Sequence, residues 1–150
     1  MNLRASTILA AGLLVAADAP RGDAAKAELE KFQGMWQLVS AQRDGREVSK
    51  DGVGRTTLII KGDTFRFPED AEVGTGPNGT FAIDPTATPR AIDATPASGP
   101  GKGKTSRGIY KLEGDRYEVH FAPPGEGRPT EFVSKPESGG LHSVWKRAGP

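Results

Sequence analysis

The sequence predicts an all-β protein: a single antiparallel up-and-down β-barrel of eight to nine short strands, with one short N-terminal helix. Three observations support this prediction. The chain contains 20 glycines and 12 prolines in 150 residues, which implies many turns. Several short segments alternate apolar and polar residues, as half-buried strands do. The gaps between these segments are mostly of hairpin length, and a long meander avoids open edges by closing into a barrel.

Length and composition limit the possible functions. A chain of 150 residues corresponds to one domain. The 20 basic residues nearly balance the 19 acidic ones, whereas a nucleic-acid-binding surface requires an excess of Lys and Arg. The chain has no cysteine, so a disulfide and a thiolate metal site are both excluded. Stability must therefore come from packing and strand pairing.

Residues 1–17 have the pattern of a secretory signal peptide. Met1 to Arg4 carries one positive charge, and Ala5 to Ala17 is a run of small and apolar residues. This run is too short to span a membrane, which requires ~20 residues. The pattern predicts cleavage after Ala17, with cleavage after Ala19 as the alternative. We therefore expect export to the periplasm, the cell envelope or the medium; an uncleaved anchor or a buried helix is the competing interpretation.

The mature chain begins with a predicted linker at residues 18–23, followed by one domain at residues 24–150. Asp23 is a suitable cap for a short helix from about Ala24 to Gln33, and Gly34 is a suitable end for it. Three apolar side chains share one face of this helix: Ala25, Leu29 and Phe32. A helix of this length is marginal alone, so it should pack on the barrel.

The strand predictions follow from alternation and from β-branched or aromatic content. They cover residues 36–40, 56–61, 64–67, 79–84, 90–95, 106–112, 116–122, 130–134 and 142–147. The predicted turns are Asp44-Gly45, Gly62-Asp63, Pro85 to Pro89, and Glu113-Gly114-Asp115. Longer loops are predicted at residues 68–77, 96–104 and 123–129. The interval between Gly45 and Arg55 leaves room for a further short strand.

Gly34-Met35-Trp36, between the helix and the first strand, resembles the Gly-x-Trp element of lipocalins. In that family the Trp closes the barrel floor, and a basic residue near the last strand packs over it. The resemblance therefore implies a structural role for Gly34 and Trp36. It makes Arg147 the expected partner of the indole, with Lys146 as second choice.

Longer segments are similar to a lipocalin-like domain abundant in planctomycetes. They are Phe32 to Ala41 with Asp44-Gly45, Ile60 to Asp63, Ile83 to Pro85, Pro89 to Asp93, Gly108 to Asp115 and Arg128 to Phe132. The family has no assigned activity, so the resemblance implies fold and lineage but no catalytic residue. Tyr117-Glu118-Val119-His120 stands where relatives have Leu-x-Leu-Cys, so any role of that cysteine would be absent.

Several motifs resemble functional sites, but each has a simpler structural explanation. Gly99 to Thr105 resembles a phosphate-binding loop, but Ser98 replaces a required glycine and a strand follows. His120 and His142 are the only histidines and, even with Glu118, make a poor metal site. Asp84 and Asp93 fit turn chemistry better than acid catalysis. The serines show no nucleophile elbow. We predict no metal, no cofactor and no catalytic residue.

The expected function is a monomeric, non-catalytic binding module for a small apolar or amphipathic ligand. The alternatives are an envelope interaction or structural protein with a filled barrel, contacting partners through residues 68–77 and 96–104, and, less favoured, an enzyme. The predicted ligand contacts are Tyr110, Tyr117 and Phe132, and Asp44-Gly45 marks the predicted mouth. A cavity above ~300 Å³ favours a ligand site, a packed interior favours the interaction protein, and a convergent acid–His cluster in a cleft favours the enzyme.

Overall fold

The computed structural model describes residues 19–48, 51, 53–68, 78–99 and 101–149, so the predicted signal peptide lies outside the described residues. One helix, α1, covers Ala19–Phe32. The strands are β1 (Gly34–Arg43), β2 (Arg46–Glu47), β3 (Thr57–Lys61), β4 (Thr64–Arg66), β5 (Asn78–Asp84), β6 (Ala91–Pro96), β7 (Ser106–Glu113), β8 (Arg116–Phe121) and β9 (Leu141–Arg147). Within the described residues, no helix has the length and apolarity that crossing a bilayer requires.

The sheet closes on itself, which confirms the predicted antiparallel barrel. Strands β3 to β9 pair in sequence order, and β1 pairs with β3 on one side and with β9 on the other. Trp36 shows both pairings, because it lies opposite Leu58 of β3 and opposite Arg147 of β9. Eight strands therefore form the barrel, and the two-residue strand β2 extends from β1 as a small hairpin.

The barrel has two distinct ends, which we call the floor and the mouth. Strand β1 starts at the floor with Gly34 and reaches the mouth at Asp44-Gly45. The hairpin turns after β3, β5 and β7 lie at the floor. The connections after β4, β6 and β8 start and end at the mouth. Residues 69–77 of the predicted loop lie outside the described part of the chain.

Strand β1 contains a β-bulge that changes which residues face inward. Leu38 pairs with Trp145, but the next pair is Ser40 with Val144, so Val39 is the extra residue. Val39 is 47% exposed. One extra residue shifts the inside–outside alternation by one position. Ala41 and the last residue of the strand, Arg43, therefore take the inward positions.

Two predicted segments require correction. The helix begins at Ala19, so residues 19–23 are helical and not a linker. Pro20 is compatible with this start, because the N–H groups of the first helical turn need no partner within the helix. Residues 130–134 form no strand. Strand β8 pairs directly with β9, so the closed sheet has no vacant position, and residues 122–140 form one long connection.

Helix α1 closes the floor of the barrel through its last residue. Phe32 and Trp36 are both fully buried. The Phe32 ring packs edge-on against Tyr110 and Tyr117, with centroid distances of 5.1 Å to each. The Trp36 indole N–H donates to the Phe32 carbonyl at 2.8 Å, which satisfies a carbonyl that the helix end would leave free.

Arg147 of the last strand connects the first strand of the barrel to the end of the helix. Its guanidinium lies over the Trp36 indole, 4.3 Å from the ring centroid, where the lipocalin resemblance places it. It also donates to the carbonyls of Lys31 and Gln33, each at 2.7 Å. Gly34 has a positive φ of 115°, and an added Cβ would lie 3.5 Å from the Arg147 guanidinium. Because Gly34 has no side chain, the Arg147 guanidinium can lie close to the backbone of the Gly34–Trp36 segment.

We predict that Trp36→Ala lowers the free energy of unfolding by about 3–5 kcal/mol, because it empties a fully buried aromatic site. Met35→Ala is the matched control, since the neighbouring Met35 is 50% exposed and should change stability little. Urea unfolding followed by tryptophan fluorescence from the remaining Trp145 measures both variants. Equal stability of the two variants would contradict the role given to Trp36.

Candidate ligand-binding cavity

The interior of the barrel contains an apolar cavity of about 170 Å³. Aromatic side chains from four strands and from the segment after β4 form much of its wall: Phe65, Phe67, Phe81, Phe121 and Trp145. Phe32 and Tyr117 bound it toward the floor. Arg43, Pro123 and Gly139 bound it toward the mouth. The cavity is therefore a hydrophobic interior site with its polar rim at one end.

Two glycines let aromatic rings lie flat against the wall. Phe65 of β4 pairs with Gly79 of β5, and Phe121 of β8 pairs with Gly108 of β7. A Cβ added at Gly79 would come within 2.6 Å of the Phe65 ring, and one at Gly108 within 2.7 Å of the Phe121 ring. Each ring thus occupies the space of a missing side chain. This placement leaves room along the barrel axis that an upright ring would fill.

Tyr117, a predicted ligand contact, does line the cavity. It is 3% exposed, and its hydroxyl makes no hydrogen bond with the described part of the chain. Burial raises the pKa of this hydroxyl well above its usual range, since an ionised phenol here would lose its hydration. Tyr117 therefore contributes one unpaired, neutral polar group to an apolar lining.

Tyr110, the second predicted ligand contact, does not line this cavity. It faces the interior beside the helix, and its hydroxyl donates to Glu28 of α1 at 3.3 Å. Glu28 is also buried and pairs with Arg90 at 2.9 Å. Burial first, and then the negative charge of Glu28, raise the pKa of Tyr110. Its polar group serves to attach α1 to the barrel.

Phe132, the third predicted ligand contact, also lies outside the lining of this cavity. It lies in the long β8–β9 connection, and its ring packs under the Lys111 ammonium, which is 4.4 Å from the ring centroid. Lys111 is an exposed residue of β7, so this contact is on the outer surface of the barrel. An inward position for Phe132 would have required a strand at residues 130–134, which does not form.

A second depression, the outer cleft, lies between the β8–β9 connection and the outside of the sheet. Its volume is about 280 Å³, and its lining includes His120, Glu126, Arg128, Glu131 and Lys135. The Arg128 guanidinium already has partners within the protein. It donates to the carbonyls of Gly108 and Ile92 and pairs with Asp93 at 2.8 Å. The outer cleft is larger than the interior cavity, but it offers charged, solvated walls and little apolar surface to a ligand.

The histidines and carboxylates do not assemble into one centre. His142 contacts Glu118 at 2.8 Å on the outside of the barrel. The His120 ring lies 6.2 Å away, with Nδ1 on the Glu131 carbonyl at 2.6 Å. Asp84 accepts from the amide and hydroxyl of Thr86, which is turn chemistry. Among the described residues, no group of three or more His, Asp or Glu side chains is placed to hold a metal ion.

Two other motifs from the sequence have structural roles here. The glycine- and lysine-rich segment lies in the connection between β6 and β7, where the Thr105 and Thr95 hydroxyls are 2.7 Å apart. Ser134 is buried and donates to the Gly140 carbonyl at 2.9 Å while accepting from the Gly45 amide. Sequence reasoning missed Arg43 as a rim residue, because the bulge that turns it inward has no sequence signal.

Comparison with known proteins identified no relative: no family model, no curated protein and no solved structure matches this chain. The cavity is therefore the feature of this protein from which its function can be inferred. Its chemistry comprises a largely apolar wall, a few hydroxyls from Tyr117, Ser106 and Ser143, and one cationic side chain, Arg43, at the rim. Such a set favours reversible binding of a small molecule, with apolar contact as the main source of affinity.

The two tyrosines predict a specific loss of stability at alkaline pH. Both have a folded-state pKa raised above the ordinary value of 10.0. Above about pH 10 the unfolded chain releases these protons and the folded chain keeps them, so the free energy of unfolding falls as the pH rises. The chain has only two tyrosines, so Tyr110→Phe with Tyr117→Phe removes the whole effect. Urea unfolding from about pH 8 to 11 tests this; an equal alkaline loss in the double variant would contradict it.

Proposed function

We propose that this protein is an exported, lipocalin-like binding module that holds a small apolar or amphipathic ligand inside the barrel. The observation that carries the proposal is the apolar interior cavity bounded at its mouth by Arg43 and at its floor by Phe32. The similarity of the Gly34–Trp36 segment to lipocalins, and of the longer segments to the planctomycete domain, supports the same proposal. So does the signal-like pattern of residues 1–17, which lie outside the described residues.

The cavity volume restricts the size of the ligand. At about 170 Å³ the cavity does not reach the ~300 Å³ that we expected of a ligand site, which is the size typical for drug-sized ligands. It is close to the ~150 Å³ of an engineered protein cavity that holds benzene. The ligand is therefore a single ring or a short chain, and molecules of retinoid or haem size are excluded. A ligand with so few atoms should bind with a Kd between about 10 µM and 1 mM.

The unfilled interior also favours the binding module over the interaction protein. A barrel used only as a scaffold gains stability from each side chain that fills its centre. Here Phe65 and Phe121 lie against glycines, and Ala94 adds a small residue to the lining. The chain leaves space where larger residues would add apolar contact. Retaining such space is expected when a ligand supplies the missing contact.

We predict that Ala94→Phe abolishes binding of 1-octanol by filling the cavity that Ala94 lines. Ala82→Phe is the matched control, because Ala82 lies on the neighbouring strand β5 with an exposed side chain. Protein-observed NMR titration compares the two variants with the wild type. The proposal requires shifts at cavity residues in the wild type and in Ala82→Phe only. Binding that survives Ala94→Phe, or no binding to the wild type below about 1 mM, would contradict it.

Export has its own test. N-terminal sequencing of the protein purified from its native cells should begin at Asp18, or at Pro20 if the alternative cleavage is used. We expect this shortened N-terminus because a signal peptidase removes the apolar segment during export. Fractionation of the same cells provides the control, since the mature form should be found outside the cytoplasm. Cytosolic protein that begins at an intact Met1 would contradict export.

A further inference from the structure

Arg43 is an unusual residue at the rim of an apolar cavity. It is the last residue of β1, and the bulge at Val39 turns it to the inward side. It lines the cavity, yet its guanidinium has no hydrogen bond or ion pair with any described residue. Its side chain is exposed at the rim, so the guanidinium stays hydrated in the free protein while it stands beside the apolar opening. Its placement suggests that a negative group binds there.

A second arginine stands beside it. Arg46 is the register partner of Arg43 across the two-residue Asp44-Gly45 turn, and directly paired residues project from the same face of a hairpin. Like charges in directly opposed positions destabilise a hairpin. Arg46 is exposed and, like Arg43, has no ion pair within the described residues. The mouth thus concentrates two positive charges at the edge of the cavity.

Neighbouring acidic groups in the described residues form no ion pair with these two arginines. Asp44 lies between the two arginines in sequence, but its Oδ1 accepts a hydrogen bond from the Gly139 amide. Glu47 is paired with Gln42, one register position along the hairpin, and so projects from its other face. Within the described residues, the two guanidinium groups therefore have no ion-pair partner and are open to a ligand.

We propose that the ligand of the interior cavity is a small monocarboxylate with an apolar tail. The tail occupies the cavity between Phe65, Phe81 and Trp145, and the carboxylate stays at the mouth against Arg43 and Arg46. Arginine suits this role, because its planar guanidinium matches a carboxylate with two parallel hydrogen bonds. A carboxylate at the mouth keeps part of its hydration and needs no second charge inside the apolar wall.

The cavity size limits the tail. A site of about 170 Å³ accepts an apolar group on the order of six to ten carbon atoms, judged from the ring that fills a cavity of ~150 Å³. Medium-chain alkanoates and arylalkanoates with one ring belong to this class. Long-chain fatty acids exceed it. This inference depends on the proposed function, since it identifies the chemistry of the same site.

The experiment compares three probes that share one eight-carbon tail and differ only in the head group: octanoate, 1-octanol and octylammonium. Affinities are measured by protein-observed NMR on the full mature chain at neutral pH and low salt. Octanoate should bind about threefold to tenfold tighter than 1-octanol, and octylammonium should bind weakest. An apolar cavity without anion recognition would instead bind 1-octanol tighter than octanoate, because a carboxylate costs more free energy to desolvate than a hydroxyl.

Variants assign the preference to the two arginines. Arg43→Gln with Arg46→Gln should reduce octanoate affinity to that of 1-octanol or below, and should change 1-octanol affinity by less than it changes octanoate affinity. Arg107→Gln is the matched control, since Arg107 is an exposed arginine of β7 next to the lining residue Ser106. Added salt should weaken the binding of octanoate but not the binding of 1-octanol, because salt screens the attraction between the carboxylate and the arginines.

Each outcome has a distinct meaning. Octanoate preference that the double variant removes and Arg107→Gln retains is the expected result. Equal or tighter binding of 1-octanol overturns the carboxylate inference and leaves the binding module intact. Octanoate preference that the double variant retains also overturns it, because the charge recognition then lies elsewhere. Failure of all three probes to bind overturns the proposed function as well.

Discussion

Arg147 brings together three parts of the chain that are distant in sequence. It pairs with Trp36 in the barrel register, lies over the Trp36 indole, and donates to two carbonyls at the end of α1. These contacts bring the last strand, the first strand and the helix to one point at the floor. Barrel closure requires the first and last strands to pair, and this junction is where that pairing begins. The Phe32 ring, fully buried beside it, then defines how far the interior extends.

The cavity follows from small departures from a regular barrel. Gly79 and Gly108 let two aromatic rings lie against the wall, and the bulge at Val39 reverses the alternation of β1 near the mouth. The first departure leaves space along the axis. The second directs Arg43 toward that space. An interior that is apolar along its length and cationic at one end is the combination expected for an amphipathic anion, and it arises from backbone geometry as much as from side-chain type.

Much of the fold could be predicted from the sequence, because alternation and turn chemistry are local signals. The strands, the Asp44-Gly45 turn and the barrel class follow from them. The predicted strand at residues 130–134 had the same local signal, but β8 and β9 pair directly and leave no position for it. Tyr110 and Tyr117 are equally aromatic and equally inward in the sequence pattern. Only the helix contact with Glu28 distinguishes the tyrosine that attaches α1 from the one that lines the cavity.

The central claim is that the barrel interior is an accessible apolar cavity and not a filled core. A crystal pressurised with xenon tests this most directly, because xenon enters apolar cavities of this size without requiring any particular head group. We expect a xenon atom inside the barrel, in contact with Phe65, Phe81 and Trp145. A barrel with side chains across its axis and no xenon between these residues would contradict it.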